Sequence, residues 1–341
     1  MQTSRSKSSS AQVVWAGLIG DILVTATKIA AAVLTGSAAM TSEAIHTLVD
    51  AANEVLLLYG LRQSKRRPDE CHPLGYGREL YFWSFVVALL IGALGAGVSF
   101  YQGVIHVLHP APIRSPGVSY VVLGLSFVFE AVSWLVAARQ FKAVRGNLGL
   151  FKAFRLSKDP ASLLMLFGNA AALLGLVVAA AGIFAAGALH RPELDGVASI
   201  LIGLILAVTS LLLARESKSL LIGEETYPKI RNSILEIVNA EPAILTANGI
   251  GTVQLAPNQV AVMLSVEFAD PLRAPQIEEA VVAMEAKIRK RHPEVMGIFV
   301  KPQTEETFRK ASLIRTGKTP PRRQPASAPS DLSVPPRHRP V

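Results

Sequence analysis

The chain has 341 residues, with 34 Lys and Arg against 25 Asp and Glu, a formal net charge of +9 at pH 7. Charged residues make up 17% and the hydrophobic set 50%, against roughly 25% charged and, even with glycine counted, roughly 45–50% apolar in soluble domains. A mean hydropathy of +0.38 excludes a disordered chain and a single soluble globule, and the lone Cys71 excludes a disulfide scaffold.

In chain order, residues 1–11 form a polar N-terminal segment, followed by an apolar stretch without a cleavage pattern, so no secretory signal is expected. A bilayer core needs about 20 mostly apolar residues per helix. Six stretches qualify: 12–34, 38–61, 80–105, 118–138, 160–187 and 195–214. Basic residues sort to one side. Arg5 and Lys7, then Arg62, Lys65, Arg66, Arg67 and Arg78, then Arg139 through Lys158, then Arg215 and Lys218 alternate with loops holding only Arg114 and Arg191. Lys/Arg-rich loops stay in the cytoplasm, so both termini are expected inside, and the positive charge needs no nucleic-acid partner.

After Gly223 the pattern changes to that of a water-soluble domain. Ile230, Ile234, Leu235 and Val238 recur at helical spacing over 227–240. Strands are expected over 244–256 and 259–268, where Val260, Val262, Leu264, Val266 and Phe268 alternate. A helix over 274–292 and a strand over 295–301 complete an α-β-β-α-β order. The fold class is thus an all-α six-helix transmembrane domain (12–222) followed by a small cytosolic α+β domain (223–310). The Pro-, Ser- and Arg-rich tail 311–341 lacks a core and is expected to be disordered.

Charged groups inside hydrocarbon cost at least ~2.5–3.5 kcal/mol each and are functional candidates by default. Span 1 holds Asp21 and Lys28, span 2 holds Glu43, His46, Asp50 and Glu54, and span 4 holds Glu130. Glu43, His46, Asp50 and Asn53/Glu54 form one stripe along a helix face. His46 and Asp50, four apart, address one point beside that helix, and a nitrogen with an oxygen donor suits zinc. At ~1.5 Å per residue, Asp21 and Asn169 lie about 14 Å, Asp50 and Glu130 about 12 Å, and His46 about 18 Å from the cytoplasmic face of a ~30 Å core. A bundle of spans 1, 2, 4 and 5 around a cation site is expected, with spans 3 and 6 packed outside. Glu43 and Glu54, near span ends, are expected to be solvated or cavity-lining. Lys28 is expected to snorkel or pair with an acid. Asp159-Pro160 reads as a helix start, and Asp195 as a cap of span 6.

The stretches LTGSAAMTSEAIHTLVDAANEVLLLYGLR, HPLGYGRELYFWSFVVALLIGALGAG and LDGVASILIGLILAVTSLLLARESKSLLIGE resemble the cation diffusion facilitator family, over about residues 12–302. The resemblance implies a divalent-metal/proton antiporter working as a homodimer in the bilayer, with a ferredoxin-like cytosolic domain. It makes His46 and Asp50 the span-2 half of the transport site. Where relatives carry a Glu-Asp pair in span 5, this chain has Gly168 and Asn169, while Asp21 stands where relatives more often have Asn. The expected metal set is therefore Asp21, His46, Asp50 and Asn169, an acid having moved from span 5 to span 1. A second metal is a candidate at Asp69 and His72 in loop 2–3, although Tyr76 replaces a further His; a tight turn is the competing reading.

The function expected from these residues is export of a divalent cation, zinc first and Fe²⁺, Mn²⁺, Co²⁺ or Cd²⁺ as further candidates, in exchange for protons across the cell (inner) membrane. No permanently bound cofactor and no enzymatic activity are expected. The alternative is a degenerate, weakly transporting or non-transporting member that acts as a membrane scaffold.

Overall fold

The computed structural model describes residues 22–145, 149, 154 and 157–317. These residues fall into two compact units divided between Ile222 and Gly223, and Gly223 leaves the last helix of the first unit with φ +117°, a conformation open to glycine.

The first unit is helical: α1 Ile22–Thr35, α2 Ala38–Ser64, α3 Glu79–Leu108, α4 Pro116–Arg145, α5 Pro160–Ala188 and α6 Glu193–Ile222. Four of these, α3 to α6, are long and apolar enough to cross a membrane, α1 is a shorter apolar helix, and α2 carries the polar stripe. The corner between α1 and α2 is built by three residues. Thr35 Oγ1 closes onto the Ala31 carbonyl at 2.7 Å. Gly36 takes φ +67°, ending α1 as a left-handed glycine does. Ser37 then caps α2, accepting the Met40 N–H at 3.1 Å. Asp159 and Pro160 open α5 as expected, the carboxylate accepting the Ser162 N–H at 3.3 Å.

Asp195 departs from expectation. It lies in the first turn of α6 but does not cap that helix; its carboxylate accepts the Ser37 hydroxyl at 2.8 Å and the Ala38 N–H at 2.5 Å. A helix start leaves orphan N–H groups and a partial positive charge, and a fully buried carboxylate from a neighbouring helix answers both for α2. His106 of α3 comes within 3.7 Å of the same carboxylate, so α2, α3 and α6 meet there.

Small residues let α3 and α6 touch backbone to backbone, as in membrane helix pairs generally. A Cβ on Gly103 would sit 2.7 Å from the Gly196 carbonyl, one on Gly196 2.8 Å from the Gly103 carbonyl, and one on Gly203 3.0 Å from the Ala96 carbonyl. Ser199 Oγ donates to the Ser99 carbonyl at 2.7 Å and meets Ser42 of α2 at 2.6 Å. Helices α3 and α6, expected outside a bundle of spans 1, 2, 4 and 5, pair closely with each other, and α6 also touches α2 and α5. Helix α4 packs on α5 and is 11% buried over its most apolar stretch, against 39–44% for α3, α5 and α6.

The second unit runs α7 Pro228–Asn239, β1 Ile244–Ala256, β2 Gln259–Phe268, α8 Ala274–Arg291, β3 Val295–Pro302 and α9 Glu305–Thr316. The sheet order is β1-β2-β3, with β1/β2 antiparallel and β2/β3 parallel; α8 makes the crossover that a parallel pair requires. Val260, Val262, Leu264 and Val266 pack with Ile234, Val238, Met284 and Ile288 in one core. Residues 311–316, expected to belong to a coreless tail, are helical, because α9 runs to Thr316. Phe308 of α9 covers Gly249 of β1 and the Glu305 N–H is capped by Glu267 at 2.9 Å, so this last helix has both an apolar and a polar anchor. Residues 318–341 lie outside the described ones.

Asp195→Ala is expected to lower the thermal unfolding midpoint of the purified protein, because two buried donors lose their acceptor at about 1–3 kcal/mol for each unsatisfied group; Asp195→Asn, which keeps one acceptor, should lose less.

Candidate metal centre

The polar stripe of α2 turns inward. Glu43, His46 and Asn53 are buried, the first fully, and Asp50 is half-buried. His46 Nε2 stands 3.4 Å from Asp50 Oδ2, so the spacing of four residues does bring imidazole and carboxylate to one point. Neither His46 ring nitrogen, nor either Asn53 amide atom, makes a hydrogen bond among the described residues. Buried polar atoms are almost always paired, and a run of exceptions on one helix face marks donors and acceptors held for something else.

One turn from His46, Glu43 was expected to be solvated or cavity-lining, and it is not solvated. Lys28 of α1 and Glu43 are both fully buried, with Lys28 Nζ 3.4 Å from Glu43 Oε2 and donating to Thr47 Oγ1 at 2.7 Å. Thr47 is itself turned back onto the Glu43 carbonyl at 2.9 Å. Lys28 therefore pairs with an acid instead of snorkelling. On the other side, a Cβ at Gly175 of α5 would strike Glu43 Oε1, so this glycine makes the room that the carboxylate fills. The periodic Gly168, Gly175 and Gly182 of α5 were the sequence signal for a closely approached face, and two of the three are closely approached, Gly182 by Ala198.

Among the other expected ligands, Asn169 is half-buried on α5, a helix that packs against α2. Asp21 lies outside the described residues. Among the described residues no group of three or more His, Cys, Asp or Glu is arranged to hold a metal ion.

The loop candidate has a different organisation. Asp69 Oδ1 accepts the His72 backbone N–H at 2.7 Å and Asp69 Oδ2 accepts the Tyr76 hydroxyl at 2.6 Å. The His72 and Tyr76 rings lie 4.2 Å apart, and the Arg66 guanidinium sits 4.4 Å over Tyr76. The Tyr76 hydroxyl, followed by the His72 N–H, holds the Asp69 carboxyl below its ordinary pKa. Both carboxylate oxygens are thus engaged in closing a turn. Because the folded pKa is the depressed one, these bonds persist above the ordinary carboxylate range and are lost as pH falls through the lowered value. In the second unit, His292 is fully partnered, by Ser233 at 2.9 Å and Glu294 at 3.2 Å.

The apolar helices and their buried ionisable stripe define a multi-pass membrane protein. A family model described as the cation efflux transmembrane domain matches residues 14–222, and the chain belongs to that family of membrane transporters, the cation diffusion facilitators. It is 34% identical over 243 residues to "Proton-coupled zinc antiporter SLC30A9, mitochondrial" of Xenopus laevis, covering 71% of this chain and 44% of the relative. It is 31% identical over 205 residues to "Metal tolerance protein C4" of Arabidopsis thaliana, covering 60% and 45%. To "Cation-efflux pump FieF" of Escherichia coli O139:H28 it is 24% identical over 264 residues, covering 76% and 81%. The chain thus spans less than half the length of the first two relatives.

Lys28→Met leaves Glu43 buried without its cation and is expected to destabilise the protein by about 3–5 kcal/mol, read from chemical unfolding in detergent. The double variant Lys28→Met/Glu43→Gln should recover most of that loss; an equal loss in both would show that the pairing is not its source.

Proposed function

We propose that the protein exports a divalent cation, zinc foremost, from the cytosol in exchange for protons. It does so through six spans over residues 12–222, the polar α2 counted among them, with the basic loops and both termini on the cytoplasmic side of the cell (inner) membrane. His46 and Asp50 supply the central ligands, Asp21 of the first span and Asn169 of α5 complete the set, and the Asp69 loop serves as a structural turn. The observation that carries this reading is the buried His46 beside Asp50, its two ring nitrogens without hydrogen-bond partners among the described residues, in a chain of the cation efflux family.

The cation binds the neutral imidazole and the charged carboxylates, so loading displaces protons and protonation releases metal. An imidazole suits that exchange because its unperturbed pKa of ~6.5 lies near physiological pH. Lys28 and Glu43 lie one turn toward the end of α2 that begins at Ala38, and with Gly175 they close the site on that side. The second unit, residues 223–310, is proposed to be a ferredoxin-like dimerisation domain. Its open sheet face, where Met263 pairs in register with Phe299 and both side chains are exposed, supports a homodimer.

A second reading is favoured by one observation. Helix α5 offers Asn169 and Gly168 in place of an acidic pair, as in a member that has lost transport and acts as a scaffold.

Proteoliposomes under an imposed pH gradient separate the two. Saturable Zn²⁺ uptake by wild type that falls at least about tenfold in Asp50→Ala, a loss of ~1.4 kcal/mol or more in the transport barrier, supports the transporter. Folded wild type that moves no metal supports the scaffold.

A further inference from the structure

At the far end of α2 from Ala38, a cavity of about 430 Å³ is lined by Tyr59, Arg62, Gln63, Lys65 and Arg66. We propose that it binds the phosphodiester headgroup of an anionic phospholipid. The inference rests on α2 crossing the bilayer and is independent of whether metal is transported.

Level, charge and shape point to the same ligand. From Ala38 to Arg62 the helix rises about 36 Å, more than the ~30 Å hydrocarbon core, so this end of α2 stands among headgroups. The Tyr59 ring meets Trp83 edge-on at 5.1 Å, an aromatic pair of the kind that sits at a membrane–water boundary. Three of the five lining residues are cations and none is an acid, and no carboxylate lies within ion-pairing distance of Arg62, Lys65 or Arg66 among the described residues. Arg66 stacks on Tyr76, which fixes its plane and leaves its N–H fork to donate. Gln63 donates to the Tyr59 oxygen at 2.7 Å, so the phenol's own proton is available to an acceptor. The carbonyl end of α2 carries about half a negative charge, which three cations outweigh.

What favours a lipid over a soluble phosphate is the surface leading away from the cavity. Val55, Leu58 and Tyr59 are exposed at i, i+3 and i+4, and Arg62 continues the same face at i+7. An acyl chain lying along Val55 and Leu58 would end with its phosphate among Arg62, Lys65 and Arg66. General enrichment of basic residues on the cytoplasmic side explains Arg67 and Arg78 equally well, and these two do not line the cavity; they serve as the control.

The test uses full-length protein in nanodiscs, with Trp15→Phe and Trp134→Phe leaving Trp83 as the single fluorophore. Brominated phosphatidylglycerol and brominated phosphatidylcholine are compared as quenchers. The expected result is a preference of about 10- to 100-fold for phosphatidylglycerol, since each basic residue near a membrane surface gives roughly a fivefold gain. Arg62→Gln/Lys65→Gln/Arg66→Gln should abolish it and Arg67→Gln/Arg78→Gln should keep it, with Trp83 emission in phosphatidylcholine unchanged as the folding check. Equal quenching by the two lipids, or equal loss in the two variants, overturns the proposal. Loss of the preference in millimolar inorganic phosphate also overturns it, in favour of a soluble anion site.

Discussion

The structure turns on ionisable groups withdrawn from water along one face of α2. Charges in hydrocarbon persist only where partners or a cavity meet them, and each neighbour of α2 supplies such a meeting. Helix α1 brings Lys28 to Glu43 and Thr47, α5 yields space at Gly175, and α6 sends Asp195 to the first turn. Removing water from a pair costs free energy that only close geometry returns, so these contacts fix how α2 is rotated and leave His46 and Asp50 side by side. Among the described residues, the His46 nitrogens, the Asn53 amide atoms and one oxygen of Glu43 are the atoms on this face left without a hydrogen-bond partner.

The helix ends and the sheet were legible in the sequence because they depend on local chemistry. Asp159-Pro160 contains its own cap, and the alternation from Val260 to Val266 placed β2 and its buried face. The pairing of His46 with Asp50 was legible for the same reason, since four residues on a helix fix a distance. For Glu43 the position near a helix end left solvated and cavity-lining open, and the approach of Lys28 from 15 residues away makes it interior. Asp195 was misread because a carboxylate at a helix start serves its own helix or another's equally well, and residue 37 lies 158 positions away. The packing order of the helices was hidden likewise. Gly103, Gly196 and Gly203 permit a close approach, but nothing local says which helix approaches.

In the loop between α2 and α3 the Tyr76 hydroxyl takes one oxygen of Asp69 while the His72 amide takes the other. The same Tyr76 ring supports Arg66, and Arg66 is one wall of the basic cavity. The loop's polar groups thus close a turn beside the end of α2, while His292, the one histidine among the second unit's described residues, is hydrogen-bonded to Ser233 and Glu294.

The central claim is that α2 presents His46 and Asp50 to a divalent cation. Zinc X-ray absorption spectroscopy of the full-length protein tests it most directly, because nitrogen and oxygen ligands at ~2.0–2.2 Å are read without reference to transport. The account predicts bound zinc with an imidazole shell that disappears in His46→Ala. An imidazole signal unchanged by that substitution, or wild-type protein that retains no zinc, would contradict it.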